Sequence, residues 1–270
     1  MFNKLLIANR GEIALRIVRA CRVLGIRTVA IYSQADANAL HVAFADESVC
    51  IGPAPALKSY LHQPSVLAAI EITGADAVHP GYGFLAENAQ FASAVRAMGV
   101  SFVGPSVEHL RMFGDKLSAK EAARAAGLPL LEGGKGAAAS VQDALDAANA
   151  AGFPVILKAA AGGGGKGMRV VHTAEELPKA FSIAQEEARV SFGNGDVFVE
   201  RYLPRPRHVE VQVAGDGQGN AIHLGTRDCS LQRRHQKIIE EAPAPNLSDA
   251  TRERICSAAA ALASNVKYQT

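Results

Sequence analysis

Residues Pro154 to Val171 read Pro-Val-Ile-Leu-Lys-Ala-Ala-Ala-Gly-Gly-Gly-Gly-Lys-Gly-Met-Arg-Val-Val, and no other stretch restricts the fold as strongly. The two apolar ends are rich in β-branched residues and too short for helices, so both read as strands. Between them a run of glycines can gather many backbone N–H groups at one point without side-chain clashes, which suits phosphate oxygens. Lys158 on the entering strand and Lys166 in the turn add positive charge. A Walker loop needs Gly-Lys followed by Ser or Thr and then a helix; here Gly165-Lys166 is followed by Gly167 and a strand. Gly162, Gly164 and Gly167 match the alternating dinucleotide pattern in spacing, but that pattern must open a helix. A strand–loop–strand flap closing over phosphates remains, with a plain flexible hairpin as the alternative.

The first part of the chain alternates between strand and helix signals. Strands are expected at Lys4–Ala8, Thr28–Tyr32, Ser48–Ile51, Ala77–His79 and Ser101–Val103. The intervening helices include one with apolar positions Ile13, Ile17, Ala20, Cys21 and Leu24, ended by Gly25, and others at Pro64–Thr73 and Ala86–Met98. This alternation predicts an α/β fold with a parallel, doubly wound sheet, whose ligand crevice lies at the carboxyl ends of the strands. The loops Asn9-Arg10-Gly11-Glu12 and His79-Pro80-Gly81-Tyr82-Gly83-Phe84 fall there. Helical pattern then runs through Leu110 and from Asp115 to Ala126. Gly127-Leu128-Pro129 breaks it, and Gly133-Gly134-Lys135-Gly136 leads into a second module. That module is expected to hold an alanine-rich helix from Gly136 to Ala151, the flap, and a helix from about Ala174 to Ser191. Strands follow near Val197–Glu200, His208–Ala214 and Ala221–Gly225, with a hairpin turn at Gly215-Asp216-Gly217. A polar run from Arg227 to Lys237 follows, and Ser248 caps a last helix reaching about Val266.

The net charge of +2 gives no support to a polyanion-binding surface, and the absence of tryptophan argues against base-stacking platforms. The basic cluster Arg233-Arg234-His235-Gln236-Lys237 is offset by Glu240-Glu241, so nucleic acid is not expected. The cysteines Cys21, Cys50, Cys229 and Cys256 form no Cys-x-x-Cys pair, which fits reduced thiols. Cys21 and Cys50 are assigned to core packing, and Cys229 lies in a polar segment near a possible site. No apolar run reaches membrane-span length, and the N-terminus enters a strand without a signal-peptide region. A cytoplasmic protein with no membrane association is expected.

Several stretches together resemble biotin carboxylase, the biotin-carboxylating subunit or domain of acetyl-CoA, propionyl-CoA, methylcrotonyl-CoA and pyruvate carboxylases. They are Ile7-Ala8-Asn9-Arg10-Gly11-Glu12-Ile13-Ala14, His79 to Leu85, Gly114-Asp115-Lys116, the flap, Arg207-His208-Val209-Glu210, and Arg227-Asp228-Cys229-Ser230 through Glu241-Ala242-Pro243. The likeness covers essentially the whole chain in order. It implies a Rossmann-like (PreATP-grasp) domain over residues 1–114 and an ATP-grasp domain over residues 115–270. Within the latter, a flap subdomain spans about 130–203 and the start of a C-terminal subdomain spans 204–270. The chain ends directly after a helix, and is expected to be cut short within that domain.

The resemblance also implies chemistry. Bicarbonate attacks the γ-phosphate of ATP, with Mg2+ (or Mn2+), to give carboxyphosphate, which releases CO2 for the ureido nitrogen of biotin on a carrier protein. Lys116 and Lys158 match ATP-contacting lysines. Gly164 and Gly165 match flap positions over the phosphates, and Lys166 stands where an arginine is sometimes found. Glu200-Arg201-Tyr202-Leu203 resembles the hinge receiving adenine, and His208, Gln232 and His235 match nucleotide-contacting polar residues. Lys237 matches the lysine holding bicarbonate, and Glu210 lies on a strand facing the same region. The family's metal-binding carboxylates, its general base and a catalytic arginine match positions beyond Thr270. No metal ligand is therefore assigned, and this 270-residue stretch alone is expected not to turn over ATP. Implied partners are the biotin carboxyl carrier protein, a carboxyltransferase and a second copy in a homodimer. The start at Met1 favours the separate subunit of bacterial acetyl-CoA carboxylase, and so fatty acid biosynthesis. The alternatives are another ATP-grasp ligase or a non-catalytic nucleotide-binding module. A protein kinase is disfavoured by the lack of His-Arg-Asp and Asp-Phe-Gly motifs.

Overall fold

A computed structural model describes residues 2–131, 134, 136–160, 168–233 and 236–270, leaving aside the side chain of Leu117. Two compact units emerge, Met1–Gly114 with Gln269–Thr270, and Asp115–Tyr268.

In the first unit the elements are β1 (Lys4–Ile7), α1 (Gly11–Leu24), β2 (Arg27–Ser33), α2 (Leu40–Phe44), β3 (Glu47–Gly52), α3 (Gln63–Thr73), β4 (Ala77–His79), α4 (Ala89–Ala97), β5 (Ser101–Phe102) and α5 (Val107–Gly114). The strands form one sheet in the order β3-β2-β1-β4-β5, with parallel pairing throughout. Strand alternation splits β1 between two cores. Leu6 joins Val29, Ile31, Val66, Ile70, Phe91 and Phe102 beneath α3 and α4, whereas Leu5 and Ile7 join Ala14, Ile17, Val18 and Cys21 of α1 on the opposite face. The apolar stripe of α1 is therefore Ala14, Ile17, Val18 and Cys21, not the expected line ending at Leu24, which is 67% exposed where Gly25 (φ 70°) turns the chain away. Cys50, expected in the core, is exposed: β3 is an edge strand and this residue points outward. Helix α4 starts at Ala89 rather than Ala86, because the Asn88 side chain accepts the Phe91 N–H at 2.8 Å and caps it there.

A polar network ties the carboxyl end of β2 to the rest of this unit. Asp36 is buried; Arg10 Nε donates to its Oδ2 at 2.8 Å, joined there by Tyr60 Oη at 2.7 Å and Ser33 Oγ at 3.0 Å. Arg10, ahead of Tyr60 and Ser33, holds the Asp36 carboxyl well below the usual carboxylate range. Its contribution is therefore complete above the unfolded value of about 4 and is lost as pH falls through the lower folded value. Asp36→Asn is expected to lower stability at pH 7 and to flatten the acid limb of the stability curve below about pH 4. Urea unfolding across pH 2–7 checks this, and an unchanged acid limb would refute it.

The second unit holds α6 (Lys116–Ala125), α7 (Val141–Ala151), β6 (Val155–Ala159), β7 (Met168–Val171), α8 (Leu177–Phe192), β8 (Val197–Arg201), β9 (Val209–Gly215), β10 (Ala221–Asp228), β11 (Gln232–Arg233), β12 (Gln236–Lys237) and α9 (Asp249–Asn265). The flap strands β6 and β7 pair antiparallel, and β8 pairs on the other side of β6. Val155, Leu157, Val197 and Val199 pack against Ala144, Ala148, Leu177, Phe181 and Ala184 of α7 and α8. Alternation then sends Lys158, Phe198 and Glu200 to the opposite face. The helix expected from Gly136 begins only at Val141, where Ser140 accepts the Asp143 N–H at 3.1 Å. The helical pattern flanking residue 115 divides there, because Asp115 caps a new helix by accepting from Ser118 N–H at 2.8 Å. The hairpin between β9 and β10 is wider than Gly215-Asp216-Gly217: Asp216 accepts the N–H groups of Gln218 and Asn220 at 2.7 and 3.1 Å, closing a loop over residues 216–220. Within the polar run, β10 extends to Asp228, and β11 and β12 form a short ladder that no apolar alternation announces.

Candidate active site

In the first unit the two loops at the carboxyl ends of β1 and β4 meet where the strand order reverses direction, the usual crevice of such sheets. Asn9, 3% exposed, donates from Nδ2 to the carbonyls of Pro80 and Tyr82, both at 2.7 Å, and its Oδ1 accepts the Arg10 N–H at 2.8 Å. Gly81 (φ 64°) leaves the room this requires, since a Cβ there would lie 2.8 Å from Asn9 Nδ2. The Tyr82 hydroxyl meets Glu12, and Phe84 stacks on Tyr60 with centroids 5.1 Å apart. Asn9 to Ile13 and Tyr82 to Phe84 line a cleft of about 340 Å³.

In the second unit, charged side chains gather on the face of β6 and β8 away from α7 and α8. Glu200 is 5% exposed, and one lysine meets each of its carboxylate oxygens. Lys158 Nζ lies 2.5 Å from Oε2, and Lys120 Nζ contacts Oε1. Burial alone would push the Glu200 carboxyl up; hydrogen bonds from Lys120 and Lys158 outweigh it and hold it low. Lys116 donates to the Ala159 carbonyl at 3.0 Å, and burial followed by repulsion from Lys158 pushes its ammonium value down. Lys116 and Lys120, one turn apart on α6, both lie over the Phe198 ring, at 5.9 and 4.4 Å from its centroid. Lys158 thus has the partner that its apolar surroundings demand. Lys120 was missed by sequence reasoning, although its spacing from Lys116 puts both on one helix face.

The hinge segment divides. Glu200 turns its side chain to the lysines, Arg201 ends β8, Tyr202 N–H donates to the Pro154 carbonyl at 2.9 Å, and Leu203 is 41% exposed beyond the strand. Gly164, Gly165, Lys166 and His235 lie outside the described residues.

A second charged group surrounds Glu210 on β9. Arg227, its register partner on β10, donates from Nε to Oε1 at 2.7 Å, and Lys237 on β12 contacts Oε2. Burial would raise the Glu210 carboxyl, but Lys237 and Arg227 hold it at about 2. The same bond to Glu210 raises the Lys237 ammonium against the opposing effect of burial. His208 Nε2 lies 3.7 Å from Glu210 Oε2, and Gln232 Nε2 donates to the Cys229 carbonyl at 2.9 Å. The structure thereby brings Lys237, Glu210 and His208 together, and adds Arg227, which only the hairpin register reveals. Among the described residues, ligand atoms of Glu210, Cys229 and Glu240 lie within 4.8 Å of one another. This trio does not fit a magnesium ion. Both Glu210 oxygens are already taken by cationic side chains, and burial raises the Cys229 thiol value, which keeps it protonated and adds no oxygen.

Among the described residues no helix is long and apolar enough to cross a membrane. Comparison with known proteins agrees with this geometry. Residues 1–110 match the biotin carboxylase N-terminal domain, and residues 115–270 match the carbamoyl-phosphate synthase L chain ATP-binding domain. Biotin carboxylase of Pseudomonas aeruginosa is 58% identical over 256 residues, covering 94% of this chain and 57% of that protein. The crystal structure of a Campylobacter jejuni biotin carboxylase–β-γ-ATP complex superimposes with a TM-score of 0.94 at 48% identity, covering 100% of this chain and 60% of that one. A biotin carboxylase domain dimer of Hydrogenobacter thermophilus 2-oxoglutarate carboxylase, in complex with MgADP, ADP and bicarbonate, gives 0.92 at 46% identity, covering 100% and 59%. The chain spans somewhat under two thirds of the length of these relatives. A Rossmann-like sheet followed by an ATP-grasp unit with lysines gathered on one face, matched along its whole length by such proteins, places this chain in the biotin carboxylase family.

Proposed function

We propose that the full-length protein carboxylates biotin on a biotin carboxyl carrier protein, using ATP and bicarbonate, as the first half-reaction of an acetyl-CoA carboxylase or related enzyme. The observation that carries this reading is the pairing of two cation-rich groups in one unit. Lys120 and Lys158 hold the single carboxylate of Glu200, with Lys116 beside them on the Ala159 carbonyl, and Lys237 and Arg227 hold that of Glu210, with Glu240 3.7 Å from Arg227. The Glu200 group retains positive charge, and Lys237 presents an ammonium beside Glu210, as sites for anionic oxygens require.

In this reading Lys116 and Lys158 bind nucleotide phosphates beneath the flap of Gly164, Gly165 and Lys166. The backbone of the segment Glu200-Arg201-Tyr202-Leu203 receives the adenine edge, with apolar contact from Leu203, while the Glu200 side chain stays with the lysines and His208, Gln232 and His235 contact the nucleotide. Lys237 holds bicarbonate; Glu210 fixes the ammonium, and Arg227 offsets the repulsion that this carboxylate would exert on an anion. A bicarbonate oxygen attacks the γ-phosphorus, ADP leaves with the bridging oxygen, and carboxyphosphate forms. Its breakdown gives CO2 and phosphate; phosphate takes the ureido proton, and the freed nitrogen bonds to CO2. Phosphoryl transfer of this kind depends on positioning and charge neutralisation more than on covalent help from the protein. Mg2+ or Mn2+ would accompany ATP and neutralise its phosphates, held by groups other than the Glu210, Cys229 and Glu240 trio. The protein is read as a cytoplasmic homodimer that passes carboxybiotin to a carboxyltransferase.

The test is ADP release by purified full-length protein with MgATP, with and without bicarbonate and free biotin. The expected result is turnover requiring both. ATP hydrolysis indifferent to biotin and bicarbonate would overturn the reading.

A further inference from the structure

The Glu200 group contains one more lysine than the phosphate-binding assignment uses. Lys116 and Lys158 are the two given to phosphate, yet Lys158 forms a salt bridge with a buried carboxylate. A one-to-one pair of that kind is electrically neutral, and its ammonium would be a poor anion ligand, since phosphate would have to compete with Glu200 at close range. The second lysine changes this. Lys120 takes Oε1 and Lys158 takes Oε2, while Lys116 lies over the same Phe198 ring and donates to the Ala159 carbonyl, so three ammonium groups share this face with one carboxylate and two positive charges remain in excess. The side chains of Lys120 and Lys158 are 25% and 27% exposed, so neither is a freely solvated surface lysine. The Phe198 ring beneath Lys116 and Lys120 supplies a flat surface that fixes the height of both ammoniums.

We propose that Lys120 is a positioning residue of the nucleotide site: by occupying Oε1 of Glu200 it neutralises that carboxylate and orients it, leaving the charge of Lys158 available to nucleotide phosphate. This rests on the nucleotide-binding reading above. Lys120 touches Glu200 and acts on the phosphates through it, so its loss matters only while the Glu200 charge is present. Lys120→Met leaves Glu200 to claim Lys158 alone. Adding Glu200→Gln to the same protein removes the charge that Lys120 offsets and restores the excess of two.

The experiment is calorimetric titration of the full-length protein with MgADP, with thermal unfolding of each variant as a check on folding. K120M is expected to weaken binding about tenfold, the equivalent of ~1.4 kcal/mol. K120R, which keeps the charge, should remain within about threefold of wild type, and K120M/E200Q should recover to within about threefold. The proposal is overturned if K120M binds as tightly as wild type, or if the double variant is no tighter than K120M, which is the pattern of a lysine touching phosphate itself. Should K120M not fold, K120R and the double variant carry the comparison, and a tenfold loss in either overturns it. Wild-type protein that binds no MgADP would overturn the nucleotide reading as well, whereas wild-type binding with an indifferent K120M overturns this inference alone.

Discussion

Lys237→Met in the full-length protein is expected to lower biotin-dependent turnover by about a hundredfold to a thousandfold, the usual cost of deleting one charged donor to a reacting oxyanion. Affinity for MgADP should change by only a few-fold. The reason lies in the group around Glu210. With Lys237 present, two cations balance the carboxylates of Glu210 and Glu240, and the ammonium can meet bicarbonate. Without it, Arg227 alone faces Glu210 and Glu240, and Glu210 Oε2 turns an unopposed lone pair toward the same space. Lys237→Arg should rescue poorly, because the ammonium occupies a compact position that a planar guanidinium does not reproduce. Steady-state kinetics with free biotin provide the measurement. Retention of more than about a tenth of wild-type turnover in the methionine variant would show that bicarbonate is held elsewhere.

The largest effect on stability is expected at Gly52, at the end of β3. Its φ of 141° belongs to the region that L side chains rarely adopt, and a Cβ there would lie 2.3 Å from the backbone oxygen of Lys58. Neither strain relaxes by rotating a side chain, because the obstacle is main chain. Gly52→Ala should therefore cost on the order of 3 kcal/mol and lower the midpoint of thermal unfolding by roughly 6–12 °C. Gly11→Ala provides the control. It also has a positive φ (66°), but nothing lies within 4 Å of its added Cβ, so it should cost about 1 kcal/mol. Equal losses in both variants would mean that backbone conformation, not the approach of Lys58, governs Gly52.

Much of this was legible from the residues because the signals were local. The alternation of apolar strands and helices in the first unit yields the parallel sheet, and β-branched runs on either side of the glycines yield β6 and β7. Element boundaries were less legible where single side chains decide them: Asn88, Ser140 and Asp115 each stop or start a helix by one hydrogen bond. The candidate site was legible where a lone polar group interrupts an apolar strand, as Lys158 does. Lys120 and Arg227 escaped notice because their meaning is relational. Lys120 looks like any helix lysine until β8 sets Glu200 beside it, and Arg227 until the hairpin bulge between His223 and Thr226 fixes its register against Glu210. The ladder of β11 and β12 carries Gln232 and Lys237 but has no apolar pattern to read.

The grip of Asn9 on the Pro80 and Tyr82 carbonyls has a mechanical consequence. A connection with glycines at positive φ ordinarily opens early and independently of the elements it joins. Here its carbonyls are fastened to a side chain two residues beyond the central strand, itself paired on both edges with β2 and β4. The rim of the crevice therefore has no hinge of its own: freeing Tyr82 requires loosening the middle of the sheet, and a ligand arriving there meets a surface whose shape was settled when the domain folded.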